Sequence, residues 1–229
     1  MQIHEYISKY DNLISEERLF QIPLRKEYIL NQVGSGKTVL DVGCLGGQIS
    51  KMIMDRHNRV FAVEVNPRAA EAARKLGIPV QVANVEEGLP FEDEFFDVVN
   101  AGELVDHLYD TKHFFLECYR VLKKNGVFLF TTPNLNSLEN RLRMMAGQYL
   151  DMVGAYPEDS FGDHIRFFNI SKIEELCLQT GFQVEDVRGI FYLKSKGKWM
   201  DFPFNLAGRI APGFSKLLIV KVRKAQISS

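Results

Sequence analysis

The segment VLDVGCLGG, residues 39–47, brings a carboxylate, Asp41, to a turn built from Gly43, Cys44, Leu45, Gly46 and Gly47. Small residues where a strand gives way to a helix let backbone amides approach a ligand. Glu64 closes the next β-branched run, and Asn84 follows the one after. A carboxylate at Glu64 can accept both hydroxyls of a ribose in charge-assisted hydrogen bonds. Asn84 offers a polar side chain to a base edge. A dinucleotide fingerprint requires Gly-x-Gly-x-x-Gly, and Gly43, Gly46 and Gly47 do not supply it. Pyrophosphate binding, and with it a nicotinamide-dependent oxidoreductase, is therefore disfavoured. The pattern fits a nucleoside without phosphates.

A second group lies at Glu103, Asp106 and His107. On a helix the spacing i, i+3, i+4 shares one face. Carboxylates with an imidazole suit a divalent cation, which can lower the pKa of a bound hydroxyl. The plainer reading is a capped helix start with one buried histidine. His164, in GDHIRF, is a general-base candidate or a packing residue. Arg18 and Arg25 can hold a carboxylate or sit on a solvated helix face. Met144, Met145 and Tyr149 form a stripe that suits an acceptor pocket or ordinary packing.

These groups need a scaffold, and the chain supplies alternating β-branched runs and helical patterns, the mark of a parallel sheet covered by helices. Strands are expected at 38–42, 60–64, 80–82, 95–100, 127–131, about 182–187 and about 216–222. Helices are expected at about 48–55, 66–77, about 111–124 and from 138, with a capping box of Ser171 and Glu174 starting another that Gly181 ends. Residues 1–36 read as largely helical.

The chain has 229 residues, with 28 Lys and Arg against 29 Asp and Glu, and 46% hydrophobic content. That apolar fraction excludes disorder, and the charge balance argues against a nucleic-acid partner. No apolar run approaches the ~18 residues of a membrane span. Cys44, Cys118 and Cys177 form no zinc or redox pair, and the start is polar and acidic, so the expected location is cytoplasmic. Trp199, Met200, Phe202, Phe204, Leu206 and Ile210, preceded by Lys194, Lys196 and Lys198, suit a peripheral lipid-facing surface or a connector packed on the sheet.

VLDVGCLGG, FAVEVN at 61–66, NVEEGLPFEDEFFDVV at 84–99 and RVLKKNGVFLFTTPN at 120–134 resemble the class I S-adenosylmethionine-dependent methyltransferases. Together with HIRFFNISKIEELCLQTGF at 164–182, they resemble most the branch containing the ubiquinone-biosynthesis O-methyltransferases. The resemblance implies a three-layer α/β Rossmann-like fold, its seven-stranded sheet ordered 3-2-1-4-5-7-6 with strand seven antiparallel. It implies a single domain over 1–229: a helical layer at 1–36, a cofactor-binding half at 37–133, an inserted cap at 134–170, and a helix with closing strands at 171–224. It implies S-adenosylmethionine as cofactor and a small-molecule acceptor.

By the same resemblance, Asp41, Gly43, Cys44 and Gly47 cradle the cofactor's amino-acid tail. Glu64 holds the ribose, and Val65, Asn84 and Val85 surround the adenine. Ala101 and Gly102 line the transfer channel, and His164 and His107 stand near the acceptor. Glu103, Asp106 and His107 are similar to a metal-associated motif of that branch. Two positions depart from the family pattern: Leu45 stands at the turn's usual middle glycine, and Asn84 at the usual aspartate. Leu45 motivates an alternative, a non-catalytic S-adenosylmethionine-binding regulator.

Overall fold

The computed structural model describes residues 23–150, 164–195, 198–201 and 205–225. Helix α1 (Pro23–Val33) leads into β1 (Thr38–Val42), α2 (Gln48–Met54), β2 (Arg59–Glu64), α3 (Pro67–Lys75) and β3 (Val80–Val82). Then come β4 (Phe96–Gly102), α4 (Thr111–Val121), β5 (Leu122–Pro133), α5 (Leu138–Met145), α6 (Ile170–Gln179) and β6 (Phe182–Ile190). A hairpin of β7 (Tyr192–Ser195) and β8 (Lys198–Asp201) precedes α7 (Asn205–Ile210) and the closing strand β9 (Leu217–Lys224).

The main sheet runs β3-β2-β1-β4-β5-β9-β6. Its first five strands pair in parallel, and β9 lies antiparallel to both β5 and β6. With β9 as the seventh strand this is the expected order. The hairpin is an addition inside the connection between β6 and β9, where the sequence shows only an aromatic-rich connector.

Two apolar layers clasp the sheet. On one face Phe114, Phe115 and Cys118 of α4 and Ile173 and Cys177 of α6 meet Val99, Phe128 and Phe130 of the strands. The Phe115 ring packs edge-on against Phe128, Phe130 and Phe182, at centroid distances of 5.1, 5.2 and 6.2 Å. Edge-to-face packing is the arrangement that ring quadrupoles favour. On the other face Ile29, Leu30 and Val33 of α1, Ile49 and Ile53 of α2, and Ala70 and Ala73 of α3 cover Val39, Ala62, Val98 and Leu129.

Local chemistry fixes the ends of the elements. Asn66 Oδ1 accepts from the amides of Arg68 and Ala69 at 2.9 and 3.3 Å, and Pro67 fills the first helical position of α3. The long central helix stops at Val121, three residues before the expected Lys124. Leu122 has no exposed surface, and it pairs with Phe96 as the first residue of β5. The cap of α6 is Asn169 and not the expected Ser171: Asn169 Oδ1 accepts from the Lys172 amide, while Ser171 Oγ donates to that same oxygen.

Candidate functional site

The central strands β1 and β4 each carry a polar residue at the same height, and these two side chains begin the site. Asp41 is in register with Asn100. Asp41 Oδ1 accepts from Asn100 Nδ2 at 2.7 Å, and its Oδ2 accepts from Ser50 Oγ of α2 at 2.5 Å. All three side chains are buried. Burial pushes the Asp41 carboxyl above the usual carboxylate range, opposed by the Ser50 and Asn100 hydrogen bonds and by the charge of Arg25. Asn100 Oδ1 is buried with no hydrogen-bond partner among the described residues. Sequence reasoning missed Asn100. Its signal was a lone amide directly after Val98 and Val99 in β4, one strand away from Asp41.

Above Asp41 the chain turns at Gly43 with φ 70°. The amides of Gly43 and Cys44 donate to the Val63 carbonyl, which ties the turn to β2. A Cβ at Gly43 would make only ordinary contact, with the Leu104 side chain at 3.5 Å, so φ and not crowding is what calls for glycine here. Gly47, with φ 82°, is different, because a Cβ there would lie 2.7 Å from Ala73 Cβ and 3.0 Å from the Ala73 backbone. Its missing side chain serves the packing of α2 on α3. Gly47→Ala is expected to lower unfolding free energy by about 2 kcal/mol or more, from left-handed strain and overpacking together. Denaturant titration measures this, and a loss below about 0.5 kcal/mol would show that α3 yields freely.

Leu45 adopts φ 48°, the conformation a glycine would take without strain. Its half-buried side chain belongs to neither large apolar cluster, and its amide donates to Glu64 Oε2 at 2.8 Å. Glu64 is itself buried at the end of β2, and its Oε1 accepts from the Asn66 amide at 2.9 Å. Burial raises the Glu64 pKa against these backbone donors. A carboxylate offers about four acceptor positions, so room remains for ligand donors. Cys44 is buried, and burial pushes its thiol pKa up, which leaves it unreactive.

Val65 is half-buried just beyond β2, and Val85 is buried in the turn that follows Asn84. Asn84 caps that turn: its Oδ1 accepts from the Glu86 amide and its Nδ2 donates to Glu87, both at 3.1 Å. Ala101 is fully buried in the core, so its methyl group lines no channel. At the end of β4 the space beside Gly102 is taken by Arg25, whose Nη2 would lie 2.5 Å from a Cβ there. Arg25 thus reaches from α1 across the end of β4, itself buried. Arg18 lies outside the described residues.

The expected grouping of Glu103, Asp106 and His107 is not what the fold assembles. Glu103 takes φ 55° directly after β4, and its Oε1 accepts from Thr131 Oγ1 at 2.6 Å. The three residues lie on no common helical face, because only Val105–His107 form a short 3-10 turn. Asp106 and His107 are joined instead by His164. His164 Nε2 lies 3.1 Å and His107 Nε2 3.5 Å from Asp106 Oδ2, and the two rings sit 4.8 Å apart. Asp106 is buried, and both histidine side chains are nearly so. Ligand-capable atoms of Asp106, His107 and His164 all fall within 4.8 Å of one another. The segment carrying His164 is pinned by backbone: the amides of Ile165 and Arg166 donate to the Asp106 carbonyl, and the Leu135 amide to the Phe168 carbonyl. The cluster therefore stands beside the carboxyl ends of β4 and β5, the edge where open α/β sheets bind ligands.

Residues 40–130 match the family model described as a methyltransferase domain. A probable S-adenosylmethionine-dependent methyltransferase of Mycolicibacterium smegmatis is 33% identical over 160 residues, which cover 69% of this chain and 56% of that longer protein. A ubiquinone biosynthesis O-methyltransferase of Pseudomonas savastanoi is 30% identical over 177 residues, 74% of this chain and 75% of that protein. The chain belongs to the S-adenosylmethionine-dependent methyltransferases. Solved methyltransferases share the fold: one from Thermotoga maritima has a TM-score of 0.65 at 19% identity, covering 96% of this chain and 97% of that one. Another, from Aquifex aeolicus, has a TM-score of 0.61 at 20% identity, covering 96% and 98%.

This methyltransferase is therefore an enzyme whose cofactor is S-adenosylmethionine. The residues present fit that group. Gly43 turns the backbone at the end of β1 with φ 70°, the Glu64 carboxylate stands at the end of β2, and the Arg25 guanidinium lies over Gly102. No helix among the described residues is long and apolar enough to cross a membrane.

Proposed function

We propose that this methyltransferase methylates a hydroxyl oxygen of a small-molecule acceptor, with His164 as general base and Asp106 as the group that orients it. The observation that carries this reading is the 3.1 Å approach of His164 Nε2 to the buried Asp106 carboxylate at the carboxyl edge of the sheet. An imidazole held by a carboxylate is suited to take a proton as the acceptor oxygen becomes nucleophilic. Two relatives are named ubiquinone biosynthesis O-methyltransferases, which supports oxygen as the acceptor atom.

When bound, S-adenosylmethionine supplies a methyl group already activated by positive sulfur. The chain's own residues then have to bind, align and exclude water. Glu64 receives the ribose hydroxyls, and Val65, Asn84 and Val85 border the adenine, with one lone pair of Asn84 Oδ1 left for its amino group. Arg25 pairs with the cofactor's carboxylate beside Gly102. With the methyl donor held there, His164 would take the proton that the acceptor oxygen gives up on methylation. His107 lines the acceptor side of Asp106. The chain works as one domain, with 134–170 as its cap, in the cytoplasm, where three buried free cysteines stay reduced.

Calorimetric titration tests the cofactor half of this reading. S-adenosylmethionine and S-adenosylhomocysteine are expected to bind at micromolar or tighter levels, and NAD not to bind. Saturable NAD binding with no response to S-adenosylhomocysteine would overturn it.

A further inference from the structure

We propose that a groove at the outer edge of β3 is a second ligand site, built for a small aromatic molecule that carries one negative charge. The groove has a volume of about 860 Å³ and is lined by Phe61 of β2, Val80 of β3, and Leu89, Pro90, Phe91 and Phe95 of the segment ahead of β4. Small-molecule sites have this size, with mostly apolar walls and a few polar groups that fix orientation. Phe61, Phe91 and Phe95 are each half-buried, and the rings of Phe91 and Phe95 meet Phe61 edge-on at centroid distances of 6.2 and 5.5 Å. A flat aromatic guest can extend that packing.

The groove exists because β3 is short. It pairs three residues, from Val80 opposite Ala62 to Val82 opposite Glu64, so among the described residues no strand lies outside Arg59, Val60 and Phe61 of β2. The walls stand before any ligand arrives. Arg120 of α4 donates to the carbonyls of Phe91 and Leu89, both at 2.8 Å, and the Phe95 amide donates to the Val121 carbonyl at 2.9 Å. Gln81 Nε2 donates to the Pro90 carbonyl at 3.5 Å, which ties β3 to the facing segment. Walls held in this way need no ordering on binding. Phe61 precedes Glu64 by three residues of strand, about 10 Å, so the groove is separate from the ribose carboxylate.

Charge and backbone select the occupant. The Arg59 guanidinium lies 4.8 Å from the centre of the Phe61 ring and 5.9 Å from that of Phe95, and no carboxylate pairs with it among the described residues. It is therefore placed to receive an anion whose aromatic body lies against the same rings. Arg74 of α3 also lines the groove, with Nη2 on the Val80 carbonyl at 2.7 Å and Nη1 3.9 Å from Glu71. Glu92, exposed at the rim, disfavours a second negative charge on the guest. An aromatic monocarboxylate meets these conditions. The other occupant that a sheet edge invites is an added strand. The Ala62 amide donates to the Pro79 carbonyl, so the Val80 carbonyl faces away from β2, and Arg74 already fills it. A three-residue edge with that acceptor taken offers a new strand little to pair with.

The test is a fluorescence titration of the full chain, saturated with S-adenosylhomocysteine, using anilinonaphthalene sulfonate as an aromatic anion and phenylnaphthylamine as its uncharged counterpart. The anion is expected to fill a saturable site and to bind about tenfold or more tightly than the neutral probe. Arg59→Gln should weaken the anion by about tenfold and leave the neutral probe unchanged. Gln81→Phe, a bulkier side chain in the lining, should weaken both. Both variants should keep the parent's affinity for S-adenosylhomocysteine, which shows that they fold. No saturable binding, equal binding of the two probes, or variants that bind them like the parent would overturn the proposal. So would a concentration-dependent dimer in sedimentation velocity that Val82→Glu dissolves, since the edge would then pair with a second copy.

Discussion

His164→Ala is expected to lower kcat by about 100- to 10,000-fold while leaving S-adenosylhomocysteine affinity unchanged. The side chain pairs with Asp106 and makes no contact with Glu64 or its turn, so its loss removes proton acceptance without touching the ribose carboxylate. Added imidazole should restore part of the rate. Asp106→Asn keeps the shape but withdraws the charge that orients the ring, so it should fall between the parent and His164→Ala. A purely structural histidine would instead lower Tm and cofactor affinity together with the rate, and imidazole would not help. The proximity of Asp106, His107 and His164 makes exhaustive chelation a necessary control. Rates that survive it assign the cluster to proton transfer, whereas a loss reversed by added Mg²⁺ assigns it to a cation.

The difference between the expected and the assembled cluster shows where sequence reading reaches its limit. The strands and helices were legible, because β-branched runs, a cap at Asn66 with Pro67, and the turn VLDVGCLGG are all local signals, whereas the order of the strands came only with the family resemblance. The Glu64 and Asp41 positions were legible for the same reason: each lies at a strand end, and strand ends converge on one edge. The pairing of Asp106 with His164 was not, because they are 58 positions apart in the chain and backbone bonds from Ile165 and Arg166 bring them together. The removal of Glu103 from that group was equally hidden. The spacing assumed a helix, and the chain instead takes a left-handed residue at Glu103, with Thr131 of the neighbouring strand capturing the carboxylate. Gly47 misled differently. It looks like part of a ligand cradle, yet the space its side chain would take is filled by Ala73 and Ile78 of its own fold. Ala101 likewise faces the core, and the space that a Gly102 side chain would take is filled by Arg25.

Glu64→Ala is expected to weaken S-adenosylhomocysteine binding by about 100-fold or more, since two charge-assisted hydrogen bonds to the ribose, each worth about 1.5–3 kcal/mol, disappear together. The same carboxylate also receives the Leu45 and Asn66 amides, so the substitution frees a turn that already carries a left-handed leucine. Glu64→Gln separates the two effects. It keeps one acceptor oxygen for the turn but offers the ribose no charge. Affinity in the parent should also depend on pH. Burial, with Asp41 nearby, lifts the Glu64 pKa above the ordinary glutamate range in the empty protein, and ribose hydroxyls favour the ionised form. Binding therefore releases a fraction of a proton, and affinity falls as pH drops through the raised pKa. The empty protein behaves in the opposite sense. Folding raises this pKa, so ionising Glu64 costs stability as pH climbs from the ordinary glutamate range through the raised value. Calorimetry in two buffers of different ionisation enthalpy measures the released proton directly. Its absence in the parent, or an affinity for Glu64→Ala equal to the parent's, would remove Glu64 from the ribose site.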